Sequence, residues 1–123
     1  MSAPPLGSSY CHCTRCQHRT GSAFAVSALT APGSFRIVAG EELVGVFRPP
    51  DGWSKHFCTE CGGHLYSQSQ EDPTQISARM GAFDGDPGVR PAFHQFVAYA
   101  APWDEIPDDG LPRFDERGDP SLY

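Results

Sequence analysis

Three of the five cysteines lie within one short stretch, at Cys11, Cys13 and Cys16. Thiolates at these spacings can converge on a single ion if the backbone turns sharply after the second of them. A second C-x-x-C follows later in the chain, formed by Cys58 and Cys61. Zinc binds thiolate sulfur in tetrahedral geometry, and C-x-x-C is the spacing that zinc knuckles use. The sequence therefore predicts a zinc-binding protein.

Disulfide and redox chemistry are the competing interpretations of these cysteines. The number of cysteines is odd, and Met1–Tyr10 has neither a basic start nor an apolar run of signal-peptide type. A thioredoxin-like pair would lie at a strand–helix junction of a βαβ unit, which the sequence does not show. C-x-x-C pairs in a reducing compartment are typical of metal sites. Metal binding in a cytoplasmic protein is therefore favoured.

Composition limits the fold class and the partners. At 123 residues the chain has the length of one domain, and Gly and Pro together form about a fifth of it. Turns of this density are typical of many short strands, so the sequence predicts a mostly β protein. The net charge of −6 disfavours a nucleic-acid partner, and no apolar run approaches the roughly 20 residues that span a bilayer.

Alternating and apolar runs predict six strands, at Phe24–Leu29, Phe35–Val38, Leu43–Phe47, His64–Ser67, Gln75–Met80 and Phe93–Tyr99. The second and third of these are expected to pair as a hairpin. The segment 11–21 is predicted to form the knuckle with a short turn or a single helical turn. The predicted domain spans residues 10–114, after a flexible leader at 1–9 and before a tail at 115–123.

The two cysteine clusters allow two ligand assignments. Cys13, Cys16, Cys58 and Cys61 would make a closed tetrathiolate, which is a structural site, with Cys11 as a spare thiol. Alternatively, the first three cysteines hold one ion whose fourth position stays open for water or a substrate thiol. Spacing alone leaves both assignments open.

A resemblance to a known family rests on three segments in order: C-H-C-T-R-C-Q-H-R-T-G-S-A-F, K-H-F-C-T-E-C-G-G-H-L and H-Q-F-V-A-Y-A-A-P-W. They resemble the glutathione-dependent formaldehyde-activating enzymes, which are related to the centromere protein V domain. The resemblance implies small zinc-stabilised antiparallel sheets of the Mss4-like (β-tent) type. It also implies that Cys11, Cys13 and Cys16 are the catalytic zinc motif, while Cys58 and Cys61 are half of a separate structural zinc site.

The sequence departs from the family pattern in two places. The family's early C-x-C, the other half of the structural site, is absent from the ten residues before Cys11. Either the chain is a shortened relative, or its natural start lies upstream of Met1, where an in-frame C-x-C is then expected. Lys55 stands where the family commonly has arginine, which is not a neutral change at a bidentate site.

The resemblance implies a carbon–sulfur lyase-like activity on a glutathione adduct, with one or two zinc ions per chain. Arg15 and Arg19 are expected to meet the carboxylates of glutathione, because arginine suits bidentate carboxylate pairing. His64 and His94 are candidate hydrogen-bond donors behind the zinc ligands. The alternative is a non-catalytic zinc-stabilised domain that binds a partner protein through its surface. A homodimer remains open in either case.

Overall fold

The structure, a computed structural model, describes residues 1–123 and consists of one seven-stranded sheet, one α-helix and four short 3-10 turns. In chain order, the regular elements are β1 (Gly7–Cys11), α1 (Thr14–Thr20), β2 (Ala25–Leu29), β3 (Val44–Phe47), β4 (Ser54–Cys58), β5 (His64–Gln68), β6 (Ile76–Arg79) and β7 (Pro91–Gln95). The 3-10 turns are Glu41–Leu43, Met80–Ala82, Val97–Tyr99 and Pro120–Leu122. None of the helices has the length and apolar character needed to cross a membrane. The predicted mostly β class is confirmed.

The strands form one continuous sheet in the order β3-β4-β5-β6-β2-β1-β7. Every neighbouring pair is antiparallel except β1 and β7, which run parallel. Parallel neighbours end at the same edge of a sheet, and here Cys11 pairs in register with Gln95. The last residues of β1 and β7 therefore lie together where the chain enters α1.

The buried core is small and is built from alternate residues of the central strands. Tyr66, Ile76 and Ala78 form its main cluster, and Phe35 and Ile37 pack against that cluster from outside the sheet. Apolar side chains alternate with polar ones along these strands, so the opposite face is left free to carry polar groups. That polar face is where the candidate site lies.

The predicted strand at Phe35–Val38 is wrong, and so is its hairpin with the segment that becomes β3. The segment makes no ladder, because β3 pairs with β4 instead, from Val44↔Cys58 to Phe47↔Lys55. The alternation read from the sequence reflects the packing of Phe35 and Ile37 on the core. An apolar residue at every second position is compatible both with a strand of the sheet and with a segment that packs against the core.

The ends of the sheet also differ from the sequence expectation. β7 stops at Gln95, short of the predicted Tyr99, because Phe96 adopts a left-handed conformation with φ of 57° and a 3-10 turn follows. β1 begins at Gly7, inside the segment expected to be a leader. At Gly7 the side chain of Tyr123 occupies the space that a Cβ would need, so the two ends of the chain pack together.

Candidate metal centre

The three cysteines of the first cluster converge at the junction of β1 and α1. Cys11 is the last residue of β1, Cys13 caps the N-terminus of α1, and Cys16 lies within the helix. Their three Sγ atoms all lie within 4.8 Å of one another, and each residue is half-buried. This is the only group of three or more His, Cys, Asp or Glu side chains in the 123 residues that is close enough to hold a metal ion.

The helix cap fixes two of these sulfur atoms relative to each other. Cys13 has the extended backbone typical of an N-cap, with φ of −66° and ψ of 156°, and its Sγ accepts a hydrogen bond from the Cys16 amide at 3.3 Å. Gly21 ends the helix in the left-handed conformation, and its amide donates to the Gln17 carbonyl at 2.8 Å. The predicted single turn is thus a capped helix of seven residues.

The proximity of the three thiols changes their acidity. Hydrogen bonds from the thiols of Cys11 and Cys16 lower the pKa of Cys13, since they stabilise its thiolate. The pKa of Cys11 is raised, chiefly because its proton is held by the sulfur of Cys13. The metal-free cluster therefore favours one thiolate with two thiol donors. Metal binding would release the remaining protons, because thiolates are the ligands.

Cys11 and Cys16 lie on the wall of a cavity of about 320 Å³ whose other wall carries cations. Lys55 of β4, Arg79 of β6 and Arg117 of the C-terminal segment also line this cavity. Short polar side chains fill the positions between them, at Ser9, Ser27, Ser67, Gln75, Ser77 and Gln95. Cysteine sulfur and cationic nitrogen thus share one cavity, which suits an anionic ligand with a thiol.

Two of the cations are held in place by serine hydroxyls of the sheet. Arg79 donates from Nη1 to Ser27 Oγ at 2.6 Å, and Lys55 donates from Nζ to Ser67 Oγ at 3.4 Å. Burial lowers the pKa of both. Repulsion from Arg79 lowers the pKa of Lys55 further, and repulsion from Arg19 does the same for Arg79. A carboxylate in the cavity would relieve this repulsion.

A second cavity of about 670 Å³ adjoins the first across Arg79, which lines both. Arg19 and His64 contribute to this second space, next to the Gly62-Gly63 turn. Burial, followed by repulsion from Arg19 and Arg79, lowers the pKa of His64. The two cavities together run from the cysteine cluster to the Gly62-Gly63 turn beside the second cysteine pair, and both carry cationic side chains.

The two predicted glutathione-binding arginines have different surroundings in the structure. Arg19 lines the larger cavity, and its guanidinium carbon lies 5.6 Å from the centre of the Phe47 ring. Arg15 is exposed and pairs with Asp51, with Nη2 at 2.9 Å from Oδ2. Neither arginine lines the cavity that contains Cys11 and Cys16.

Cys58 and Cys61 form a separate hairpin knuckle and do not join the first cluster. Cys58 ends β4, and Cys61 is exposed. Gly62 closes the turn with φ of 75°, and its amide donates a hydrogen bond to the Cys58 carbonyl at 2.7 Å. Backbone amides of Cys61 and Glu60 donate to the sulfur of Cys58 and lower its pKa. No third His, Cys, Asp or Glu side chain joins this pair to make a metal-binding group.

The sequence reasoning missed Arg79 and Arg117 as cavity residues, and noted Lys55 only as a departure. A signal for Arg79 was present in the predicted strand, because Ser77 and Arg79 alternate with buried Ile76 and Ala78 and so share the polar face. No local signal identifies Arg117. Its position depends on the C-terminal segment, where Gly118 donates to the Gln95 side chain at 3.0 Å.

Comparison with known proteins agrees with this architecture. The family described as "Glutathione-dependent formaldehyde-activating enzyme" matches the chain over residues 1–99. Among solved structures, a Rhodobacter sphaeroides protein from a structural genomics programme is similar in fold, with a TM-score of 0.52 at 20% identity. That similarity covers 87% of this chain and 79% of the other. Because the family match spans most of the sequence and contains both cysteine clusters, the chain belongs to the glutathione-dependent formaldehyde-activating enzyme family.

Proposed function

We propose that Cys11, Cys13 and Cys16 hold one zinc ion with an open fourth position, and that glutathione or its hydroxymethyl adduct binds there through sulfur. The observation that supports this most strongly is the convergence of three sulfur atoms beside a cavity that Cys11 and Cys16 line, while Cys58 and Cys61 stay apart. Three thiolate donors suit zinc and leave one coordination position for a ligand. Zinc at this donor set would keep the sulfur of a bound thiol deprotonated.

The reaction proposed is the making or breaking of the carbon–sulfur bond of S-hydroxymethylglutathione. In the forward direction the glutathione sulfur bonds to the carbonyl carbon of formaldehyde, and the thiol proton ends on the new hydroxyl oxygen. No oxidant or reductant is needed. The chain's own part is to orient the thiol and to bind the rest of the substrate beside the cysteines.

The carboxylates of glutathione would be bound by Lys55, Arg79 and Arg117 in the cavity that contains the cysteines. Arg79 is held by Ser27, so little further ordering is needed when a carboxylate binds. Arg19 would meet a second carboxylate in the adjoining cavity, which shares Arg79. Arg15 would contribute least, because Asp51 already pairs with it.

Cobalt substitution tests this proposal directly. We expect the d–d absorption bands of the cobalt protein to change when glutathione is added, because sulfur replaces water at the open position. S-methylglutathione is the matched control ligand: it has the same carboxylates but no free thiol, and should leave the bands nearly unchanged. A spectrum that does not respond to millimolar glutathione would reject the open site and favour a closed, non-catalytic zinc domain.

The five free cysteines also fit a protein that works in a reducing compartment such as the cytoplasm. Oxidation of the first cluster to a disulfide would remove two of the three proposed ligands. Zinc release on mild oxidation, restored by a thiol reductant, is the expected behaviour. Zinc that stays bound after complete oxidation of the five thiols would contradict the ligand assignment.

A further inference from the structure

His12 lies between two of the clustered cysteines in sequence, and its side chain is directed into the protein. Its side chain is one of the most deeply buried, with 2% of the residue exposed. Its Nε2 lies 2.9 Å from Nδ1 of His94, which is 3% exposed. Nε2 of His94 in turn lies 2.8 Å from Oδ2 of Asp109, whose side chain is 29% exposed. The three side chains form a hydrogen-bonded chain from the interior to the surface.

The direction of this chain follows from the chemistry of its outer end. A carboxylate only accepts, so His94 donates from Nε2 to Asp109, and its Nδ1 is then an acceptor when the ring is neutral. His12 must therefore donate from Nε2. A neutral His12 ring carries one proton, which is then on Nε2. Its Nδ1 is left as a bare acceptor, and this atom is buried without a partner.

The backbone of His12 is held from two further directions. Its amide donates to the Gln95 carbonyl at 3.0 Å, and its carbonyl accepts from Gln17 Nε2 at 2.9 Å. The ring of Tyr10 stacks on His94, with ring centres 4.7 Å apart and planes 12° apart. The residue between Cys11 and Cys13 thus has its amide, carbonyl and side chain all fixed.

Burying two imidazoles and leaving one nitrogen unpaired is costly, and an apolar side chain would avoid the cost. Unlike apolar packing, these hydrogen bonds select a single orientation of the His12 ring, and they thereby fix the backbone conformation of His12. Cys11 ends a strand and Cys13 caps a helix, so their relative direction depends on the one residue between them. A network that locks that residue locks the separation of the two sulfur atoms.

We propose that His12, His94 and Asp109 are positioning residues for the cysteine cluster: they hold the Cys11–Cys13 segment in the one conformation that brings the three sulfur atoms together. The proposal rests on the proposed function only in taking zinc as the ion held there. His94 is thereby assigned to a network that ends on Asp109, 15 residues further along the chain.

The test measures zinc affinity by competition with a chromophoric chelator, in the full chain. His12→Phe keeps an aromatic ring against Phe24 but removes the donor, and Asp109→Ala removes the outer acceptor. We expect each to raise the zinc Kd by roughly 10–100-fold, as loss of partners behind metal ligands typically does. Asp109→Asn retains a carbonyl acceptor and should raise the Kd less than Asp109→Ala. The exposed neighbour Asp108 is the matched control, and Asp108→Ala should change the Kd by less than about threefold.

Nitrogen-15 spectra of the imidazoles provide a readout that a purely structural role would not move. We expect the proton of His12 on Nε2 in the wild type and a mixture of tautomers in Asp109→Ala. A His12 proton fixed on Nδ1 would overturn the proposal, as would an unchanged zinc Kd in both His12→Phe and Asp109→Ala. If the wild type binds zinc tightly and both variants have the same zinc Kd, only the positioning role is overturned. A wild type that binds no zinc would overturn the proposed function as well.

Discussion

The two C-x-x-C motifs share a spacing but differ in everything that surrounds them. The first is joined by a third cysteine, half-buried at a strand–helix junction, and opens onto a cavity lined by cations. The second lies at the tip of the β4–β5 hairpin, where Cys61 is exposed and no third ligand is near. Local backbone chemistry builds a knuckle in both places. Long-range structure supplies the extra ligand, the cavity and the charge at only one of them.

The comparison shows that a knuckle becomes a site for chemistry only through its neighbours. At the first motif, β7 and the C-terminal segment pack beside β1, and β4 and β6 bring Lys55 and Arg79 to the same space. At the second motif, the hydrogen bonds join Cys58 to the turn that follows it and Thr59 to Leu43 beside β3, and none reaches a further ligand. The predictions below test this contrast, starting with the largest effect.

Cys13→Ser should nearly abolish zinc binding at the first cluster. Serine preserves the helix cap through its hydroxyl, but one of three thiolate ligands is lost. Zinc affinity should fall by more than the roughly 100-fold that is lost when a residue behind the metal ligands is removed. Chelator competition measures it, and Cys61→Ser is the matched control, for which the affinity of the first site should not change. Equal losses in the two variants would mean that both pairs bind one ion.

Arg79→Ala should weaken glutathione binding by about tenfold to a hundredfold. Loss of a charge-assisted hydrogen bond costs roughly 1.5–3 kcal/mol, which corresponds to this range. Titration calorimetry on the zinc protein measures the affinity, and Arg15→Ala is the control, with an expected change below about twofold because Asp51 already pairs with Arg15. If Arg15→Ala had the larger effect, glutathione would bind on the helix surface and not in the cavity.

Lys55→Arg should extend glutathione binding to higher pH. Burial, with repulsion from Arg79, lowers the pKa of Lys55, so its ammonium is lost at a lower pH than that of an ordinary lysine. Affinity in the wild type should therefore fall as pH rises through that lowered pKa, whereas arginine stays charged throughout. At the highest pH measured, we expect Lys55→Arg to bind glutathione roughly tenfold more tightly than the wild type. Parallel pH profiles for the two proteins would show that Lys55 does not meet the ligand.

Cys61→Ser should change the free energy of unfolding by no more than about 0.5 kcal/mol, the usual range for an exposed substitution. The thiol is exposed, and its polar contacts are the Gly63 amide at 3.4 Å and the sulfur of Cys58, both of which a serine hydroxyl can also meet. Denaturant melts of the zinc-loaded protein measure this. A loss of several kcal/mol would mean that the second pair holds a metal ion whose other ligands come from elsewhere.

The sequence predicted what depends on short spacing. Cys11, Cys13 and Cys16 lie within six residues, so the sequence predicted that they can converge, and the cap at Cys13 brings them together. Short apolar runs likewise predicted β2, β3, β5 and β6 to within about two residues. The strand at Phe35–Val38 failed because alternation records one buried face and does not distinguish sheet pairing from packing against the sheet.

The cavity was beyond prediction because its residues are brought together by registers between distant strands. Lys55 faces Ser67 only because β4 pairs with β5, and Arg79 faces Ser27 only because β6 pairs with β2. The parallel pairing of β1 with β7 brings Gln95 beside Cys11 across most of the chain. None of these pairings follows from the spacing of residues in one segment.

The central claim is that three sulfur atoms of the first cluster bind the ion and the fourth position is open. X-ray absorption at the zinc edge of Cys61→Ser, in which the second pair is broken, tests it most directly. We expect three sulfur scatterers at roughly 2.3 Å with one oxygen, and a fourth sulfur in place of the oxygen once glutathione is added. Four sulfur scatterers before any glutathione is added, or an unchanged shell afterwards, would contradict the account.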